Sequence, residues 1–318
     1  MSTVLAVKDL SVVYKNKNKR LYAVNHASFN LLQGESLGVV GESGSGKTTL
    51  AMAILRLLPA HTAEVTGSID FIGRSLLDLD DKELSEVRWS ELAIVFQKSM
   101  NSLSPVHRIG EQISDIYRVH EPNATKEQTQ ERIYELFALV GLSDRTVRLY
   151  PHELSGGMLQ RVSIATALLH SPRLLIMDEA TTALDVVTQG QILEEIKEME
   201  KSIDITRMMI THDMSVVATT CTHIAVMYAG DIVEVGPCAL VLKNPKHPYT
   251  EGLLQSFPSL RGEKKALKGI EGYLPDLSVR YESCSFAPRC QYAKDCCFKE
   301  KPQMSEIQAG WTASCLLH

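Results

Sequence analysis

Gly41-Glu42-Ser43-Gly44-Ser45-Gly46-Lys47-Thr48 directly follows the apolar run at residues 37–40. It fits the phosphate-binding pattern G-x-x-x-x-G-K-[ST], in the expected order of strand, glycine-rich loop and helix. Glycines let successive backbone N–H groups turn inward around an anion, and the following helix directs its N-terminal dipole at the same point. We therefore predict a nucleotide-binding loop in which Lys47 reaches the phosphates and Thr48 ligates Mg²⁺.

Composition sets broader limits on the function. The 318-residue chain contains 44% hydrophobic and 22% charged residues, which is ordinary for a globular protein with room for about two domains. Its formal net charge is −5 and its basic stretch, residues 15–20, is short, so nucleic acid is not an expected partner. The sequence shows no secretory signal and no apolar run of roughly 20 residues, so we expect no membrane crossing by this chain itself.

The residue pattern changes along the chain. Alternating apolar and polar residues predict short strands within residues 4–40, and the period becomes helical across residues 102–169. Further elements are predicted as strands at 65–72, 92–96, 174–177, 207–210, 224–228 and 231–235, and as helices at 46–58 and 186–203. After Pro258 the sequence becomes irregular. The pattern indicates an α/β core with a helical insertion and a small C-terminal appendix.

A second acidic motif follows the buried strand predicted at residues 174–177. Asp178 and Glu179 stand at the carboxyl end of that strand, where ligands of open α/β sheets bind. Asp178 can hold Mg²⁺ directly or through water, and Glu179 can act as general base on the attacking water. The alternative is a strand that ends in a solvated acidic turn. It is disfavoured because a phosphate loop precedes the strand in the chain.

Residues 154–158, Leu-Ser-Gly-Gly-Met, precede another helical run and form a second candidate anion site. The simpler interpretation is a helix cap with Ser155 as N-cap. One nucleotide does not need two phosphate-binding helix N-termini. The second is explained if it contacts the nucleotide of another subunit. Gln97 and His212 each follow a strand and could reach a γ-phosphate, although a lone Gln or His is more often structural. Tyr14 could stack on adenine or lie in the core.

These motifs, in this order and spacing over residues 4–236, resemble the nucleotide-binding subunit of an ATP-binding cassette (ABC) transporter. The resemblance implies an α/β fold, namely a P-loop NTPase core of the ABC ATPase type with an antiparallel β subdomain and a helical insertion. It implies that ATP is bound by Tyr14, Ser43, Gly44, Ser45, Gly46, Lys47, Thr48, Thr49 and Gln97. It implies that Mg²⁺ is held by Thr48, Gln97 and Asp178.

The resemblance also implies roles in catalysis and assembly. The implied catalytic residues are Lys47, Glu179 and His212, with Glu179 as the base. Residues 154–158 match the signature motif, although Met158 stands where the family usually has glutamine. Contacts to the ATP of a facing subunit are implied for Ser155, Gly156, Gly157, Gln160 and, in the D-loop, Asp185.

Two C-terminal segments narrow the resemblance to importers of dipeptides and oligopeptides. Residues 247–254 and 286–290 are similar to segments of those ATPases, and nickel and glutathione importers share much of this region. The implied partners are a second ABC ATPase subunit from a different chain, two transmembrane permease subunits and an extracytoplasmic substrate-binding protein. The chain would lie at the cytoplasmic face of the cell membrane. The implied domains are an ATPase domain at 1–257, including the helical part at about 102–169, and an appendix at 258–318.

Five cysteines lie within the last 35 residues. Cys284, Cys290, Cys297 and Cys315 are spaced C-x5-C-x6-C-x17-C, and the peptide-importer ATPases that this chain resembles carry a [4Fe–4S] cluster on such a pattern. Four thiolates suit Zn²⁺ equally well by number, but structural zinc sites usually use a close C-x2-4-C pair. We predict a structural iron–sulfur cluster, with Zn²⁺ as the alternative and Cys296 as the spare thiol that could replace Cys297.

Two other classes of cassette protein are disfavoured. Translation factors of this type usually hold two cassettes in one chain, and DNA-repair types carry a long coiled-coil insertion. This chain has one phosphate-binding motif and no heptad run. Exporter cassettes are commonly fused to transmembrane helices, which the sequence lacks.

Overall fold

A computed structural model describes residues 2–16, 19–96, 102–180, 186–202, 205–256 and 269–317. The chain forms two compact units: the first combines Met1–Asp78 with Met209–His318, and the second is Leu79–Met208. The domain boundary predicted after residue 257 stays a prediction, because residues 257–268 are outside the described ranges.

The described part of the chain contains both strands and helices. The strands are β1 Thr3–Asn16, β2 Lys19–Leu32, β3 Ser36–Val40, β4 Ala63–Phe71, β5 Arg74–Ser75, β6 Leu92–Val95, β7 Leu174–Asp178, β8 Thr206–Thr211, β9 His223–Tyr228, β10 Asp231–Pro237, β11 Ser305–Gln308 and β12 Trp311–Ala313. The helices are α1 Lys47–Ile54, α2 Asp81–Val87, α3 Ile109–His120, α4 Lys126–Leu139, α5 Gly156–Ala167, α6 Val186–Ser202, α7 Met214–Thr220, α8 Cys238–Val241 and α9 Pro248–Ser256. No helix in the described part of the chain is both long and apolar enough to cross a membrane.

The first unit contains an antiparallel ladder and a parallel pair. β1 pairs antiparallel with both β2 and β4, while β3 pairs parallel with β9. The prediction of short strands was wrong for β1 and β2, which are 14 residues long. Bulges explain the error: Asp9 and His26 adopt φ of 51° and 49°, and the register of the β1–β2 pair shifts on both sides of Leu10. A bulge interrupts the alternation of side chains without ending the ladder.

The described residues 269–317, here called the C-terminal segment, contribute strands to the sheet of the first unit. The sequence pattern did not predict this. β12 pairs antiparallel with β10, and β11 pairs with β12. Trp311, Phe286 and Tyr249 pack with Tyr228 in one buried cluster. The idea of a small appendix that follows the core therefore needs correction, because this segment adds strands and core side chains to the unit. β11 and β12 are only four and three residues long, too short for a periodicity signal.

Glu234 of β10 fixes this segment through a fully buried carboxylate. Its oxygens accept hydrogen bonds from the Trp311 indole at 2.9 Å and from the backbone N–H groups of Lys246 and His247 at 2.9 and 3.0 Å. We expect Glu234→Ala to lower the free energy of unfolding by about 3 kcal/mol, because three buried donors lose their acceptor. Urea unfolding measures this change. Glu300→Ala, an exposed glutamate of the same segment, is the matched control, and equal stability of the two variants would contradict the assignment.

The second unit contains the helical insertion and a parallel strand pair. β6 pairs parallel with β7, and every residue of β7 is buried, as the apolar run at residues 174–177 predicts. The helical period predicted across residues 102–169 is confirmed in α4, where Ile133, Leu136 and Phe137 are buried. This places Asp178 at the carboxyl end of a fully buried strand.

Candidate nucleotide-binding site

The phosphate-binding loop connects β3 to α1 in the first unit. All five residues of β3 are buried, and α1 begins at Lys47 with Gly46 as its N-cap. Gly46 has φ of 104°, and a Cβ there would lie 2.1 Å from the carbonyl oxygen of Ala23. A side chain at this position would therefore be both strained and in collision with backbone, which is why the loop requires glycine here.

Lys47 folds back over the loop. Its Nζ donates hydrogen bonds to the carbonyl oxygens of Gly41 and Glu42 at 2.8 and 2.9 Å, and the residue is only 5% exposed. Ser45 is fully buried, and its Oγ has no hydrogen-bond partner. Buried polar atoms are nearly always paired, so an orphaned hydroxyl inside an anion-binding loop fits a site that receives phosphate oxygens. Thr48 is exposed at the first turn of α1.

Tyr14 lies beside the same helix. Its hydroxyl is 3.4 Å from Oγ1 of Thr49, and the side chain is half-buried rather than enclosed in the core. The half-buried position beside α1 does not match a tyrosine enclosed in the core. Stacking on adenine stays a prediction.

Asp178 and Glu179 end the buried strand of the second unit. Asp178 is 4% exposed and Glu179 is half-buried. Glu179 adopts φ of 48°, a left-handed conformation that is unfavourable for a residue with a Cβ. Such strain persists where the surrounding structure imposes it, and it is concentrated at functional sites.

The predicted cap at Ser155 is confirmed. Ser155 is the N-cap of α5, and its side chain accepts a hydrogen bond from the N–H of Met158 at 3.3 Å. Gly157 lies close to Thr188, whose Cγ2 would be 2.7 Å from a Cβ at that position. A side chain at position 157 would displace the Thr188 methyl group, so packing within the second unit favours glycine here.

Gln160 is 1% exposed, and its Nε2 has no hydrogen-bond partner. The contact predicted between this side chain and the ATP of a facing subunit stays a prediction. Neighbouring Arg161 is engaged within the unit, since it forms an ion pair with Glu195 at 2.6 Å.

The remaining predicted residues divide into described and undescribed positions. His212 is exposed and directly follows β8, just before the N-cap of α7 at Asp213. Gln97 and Asp185 lie outside the described residues.

Sequence reasoning missed a contact between the phosphate-binding loop and the C-terminal segment. The guanidinium of Arg289 forms two hydrogen bonds with the carboxylate of Glu42, both at 3.1 Å. The N–H of Glu42 donates to the hydroxyl of Tyr249 at 2.9 Å. These partners are more than 200 residues apart in sequence, so no local pattern could reveal the contact. Its one trace in the sequence was the conspicuous segment 286–290, which contains Arg289.

Cys284, Cys290, Cys297 and Cys315 line one small cavity of about 10 Å³, whereas Cys296 is not among its lining residues. Burial raises the pKa of Cys284 to about 11, and burial also raises the pKa values of Cys290 and Cys315. No group of three or more His, Cys, Asp or Glu side chains in the described ranges is arranged to hold a metal ion. The four predicted thiols therefore face a common space without converging on one point.

Comparisons with known proteins agree with this arrangement. Residues 24–182 match the ABC transporter family, and residues 233–297 match the family described as the C-terminal region of oligopeptide/dipeptide transporters. The chain is 44% identical to a probable peptide ABC transporter ATP-binding protein of Sinorhizobium fredii, over 98% of this chain and 94% of that protein. It is 42% identical to the oligopeptide transport ATP-binding protein OppD of Bacillus subtilis, over 100% of this chain and 90% of that protein.

Solved structures show the same fold. A dimeric, post-hydrolysis structure of an ATP-binding cassette bound to ADP and phosphate superimposes with a TM-score of 0.66 at 28% identity. The match covers 74% of this chain and 98% of the other. With a family match over the phosphate-binding loop and the buried acidic strand, and relatives above 40% identity along nearly its full length, this chain belongs to the ATP-binding proteins of ABC transporters.

Proposed function

We propose that this chain is the ATP-hydrolysing subunit of an ABC importer for di- or oligopeptides. The observation that carries the substrate class is the match of residues 233–297 to the C-terminal region of oligopeptide/dipeptide transporters. The phosphate-binding loop, with its folded-back lysine and orphaned Ser45 hydroxyl, supports the ATPase part. Nickel and glutathione importers remain the alternatives for the substrate, and no feature of the described residues favours them.

ATP binding is assigned to the loop and to Tyr14. The phosphates are surrounded by backbone N–H groups and polar side chains of the loop, at Ser43, Gly44, Ser45, Gly46, Lys47, Thr48 and Thr49. Gln97, which is not among the described residues, is a further proposed ATP contact. Thr48, Gln97 and Asp178 are the proposed Mg²⁺ ligands, and oxygen donors of these types are those that Mg²⁺ prefers. The bound ion neutralises charge that develops on the phosphate oxygens.

Hydrolysis is assigned to three residues. Glu179 accepts a proton from the attacking water, Lys47 stabilises charge on the β- and γ-phosphates, and His212 donates a hydrogen bond to the γ-phosphate. Phosphoryl transfer needs little covalent help from the protein, so positioning and charge neutralisation account for most of the rate.

Coupling to transport requires a pair of cassettes. Ser155, Gly156 and Gly157 at the start of α5, with Asp185, are proposed to contact the ATP of a facing subunit, so that ATP binding closes the pair and hydrolysis opens it. The facing subunit is a different ATPase chain, and the pair binds two permease subunits. An extracytoplasmic binding protein delivers the substrate to these permeases. The chain is thus peripheral at the cytoplasmic face of the membrane. Light scattering of the isolated chain without ATP should give a monomer.

Transport is tested by reconstituting this chain with its partner ATPase and permeases in vesicles. We expect ATP hydrolysis to be stimulated by a peptide-loaded binding protein, together with uptake of labelled peptide. Stimulation by nickel-loaded or glutathione-loaded binding protein, without response to peptides, would assign one of the alternatives. ATP hydrolysis that never responds to permeases would contradict a role in transport.

We further propose that the four cavity-lining cysteines hold a structural [4Fe–4S] cluster. The support is that the four thiols line one cavity and that their spacing lacks the close C-x2-4-C pair that structural zinc sites usually use. Burial raises the pKa of Cys284 to about 11, so metal binding must displace its proton and weakens as the pH falls. The cluster would staple residues 284–315 to the sheet of the first unit.

Cys290→Ser is expected to remove the cluster. Anaerobically purified protein should be brown, with broad absorption at about 400 nm, and the variant should lose this colour together with its iron. Cys296→Ser is the matched control, because Cys296 does not line the cavity, and it should keep both. Colourless wild-type protein with stoichiometric zinc and no iron would overturn the cluster in favour of the zinc alternative.

A further inference from the structure

Arg289 uses all of its hydrogen-bonding capacity between the C-terminal segment and the phosphate-binding loop. An arginine side chain has five N–H donors. Two of them bind the Glu42 carboxylate, two bind the carbonyl oxygens of Glu271 and Ile270 at 2.8 and 3.2 Å, and one lies 3.4 Å from the Tyr228 hydroxyl. The guanidinium carbon of Arg289 also lies over the Tyr228 ring, 5.7 Å from the ring centroid. The Arg289 side chain is only 7% exposed.

Glu42 poses an electrostatic problem for the loop in which it lies. The loop is built to bind a triphosphate, and Glu42 places a carboxylate within it. Its backbone is nevertheless an integral part of the loop, because its carbonyl accepts from Lys47 and its N–H donates to Tyr249. Like charges at short range repel strongly in a partly desolvated site. An unpaired Glu42 would therefore weaken binding of ATP.

We propose that Arg289 is a positioning residue for ATP binding: it neutralises Glu42 and holds its carboxylate against the C-terminal segment, away from the triphosphate. The inference rests on the proposed ATP site. It gives the C-terminal segment a direct influence on nucleotide affinity, through one side chain that is next to the cavity-lining Cys290 in sequence.

Stability alone is a weak explanation for the pair. A buried ion pair is often no better for stability than well-packed apolar residues of similar size. The bidentate geometry instead fixes the direction of the carboxylate, which a single hydrogen bond would not do. An electrostatic role also makes a specific prediction, because removal of the Glu42 charge must compensate for removal of Arg289.

The test is titration with methylanthraniloyl-ATP of the wild type and of R289A, E42Q and the double variant R289A/E42Q. We expect R289A to weaken binding on the order of tenfold, E42Q to bind at least as tightly as wild type, and the double variant to recover most of the loss. The loss in R289A should be greater for the triphosphate than for the diphosphate analogue, and it should shrink at high salt. R280A removes an exposed arginine of the same segment and should bind like wild type.

The inference is overturned if R289A binds like wild type, or if E42Q fails to restore binding in the R289A background. If R289A does not fold, R289K provides the test, because lysine keeps the charge but not the fork. A smaller loss of ATP affinity in R289K that E42Q reverses supports the inference. A loss of affinity that E42Q leaves unchanged contradicts it. Wild-type protein that does not bind the analogue at all would refute the proposed ATP site instead.

Discussion

Glu179→Gln is expected to lower steady-state ATP hydrolysis by about two orders of magnitude or more, while ATP binding survives. Glutamine preserves the size and shape of the side chain but cannot accept a proton from the attacking water. Because it also keeps a Cβ and the same volume, it should tolerate the left-handed backbone at this position as glutamate does. The loss should therefore be chemical rather than structural.

Two measurements separate these possibilities. Phosphate release measures turnover, and titration with a fluorescent ATP analogue measures binding. Glu194→Gln makes the same chemical change on the exposed face of α6 and should hydrolyse ATP like the wild type. Near-normal turnover by purified E179Q would remove Glu179 from the catalytic assignment and leave the base unidentified.

The parts of the site that could be predicted from the sequence depend on local rules. The loop before α1 requires glycine because the backbone is left-handed and crowded at Gly46. Ser155 caps α5 because its hydroxyl can reach an N–H three residues later. Asp178 ends a strand whose four preceding residues are all apolar. Each of these features is determined within about ten residues of sequence.

The parts that could not be predicted depend on contacts between distant residues. Glu42 occupies a position that the loop pattern leaves unspecified, and its partner Arg289 lies 247 residues further along the chain. β12 is only three residues long and exists because β10 offers an edge for pairing. Gln160 has a polar side chain on a helix that follows a functional motif, yet packing within the second unit buries it. Burial and long-range pairing of this kind are set by tertiary structure.

Lys47→Ala should reduce ATP affinity on the order of a hundredfold or more, since a charge-assisted bond to phosphate in a partly buried site is lost. In the structure, Nζ of Lys47 donates hydrogen bonds to the carbonyl oxygens of Gly41 and Glu42, so the ammonium lies within the loop. Alanine would also leave these two carbonyl oxygens without the ammonium. We therefore expect a loss in binding itself, in contrast to E179Q.

Titration with the same ATP analogue checks this result, with Lys8→Ala as a matched control on the exposed side of β1. Thermal unfolding of the nucleotide-free variant shows whether the loop still folds. ATP should raise the melting temperature of the wild type and of K8A but not of K47A, because only a ligand that binds the native state stabilises it. If K47A binds ATP normally but fails to hydrolyse it, Lys47 acts on the transition state alone, and the folded-back ammonium has to move away from the loop carbonyls before the reaction.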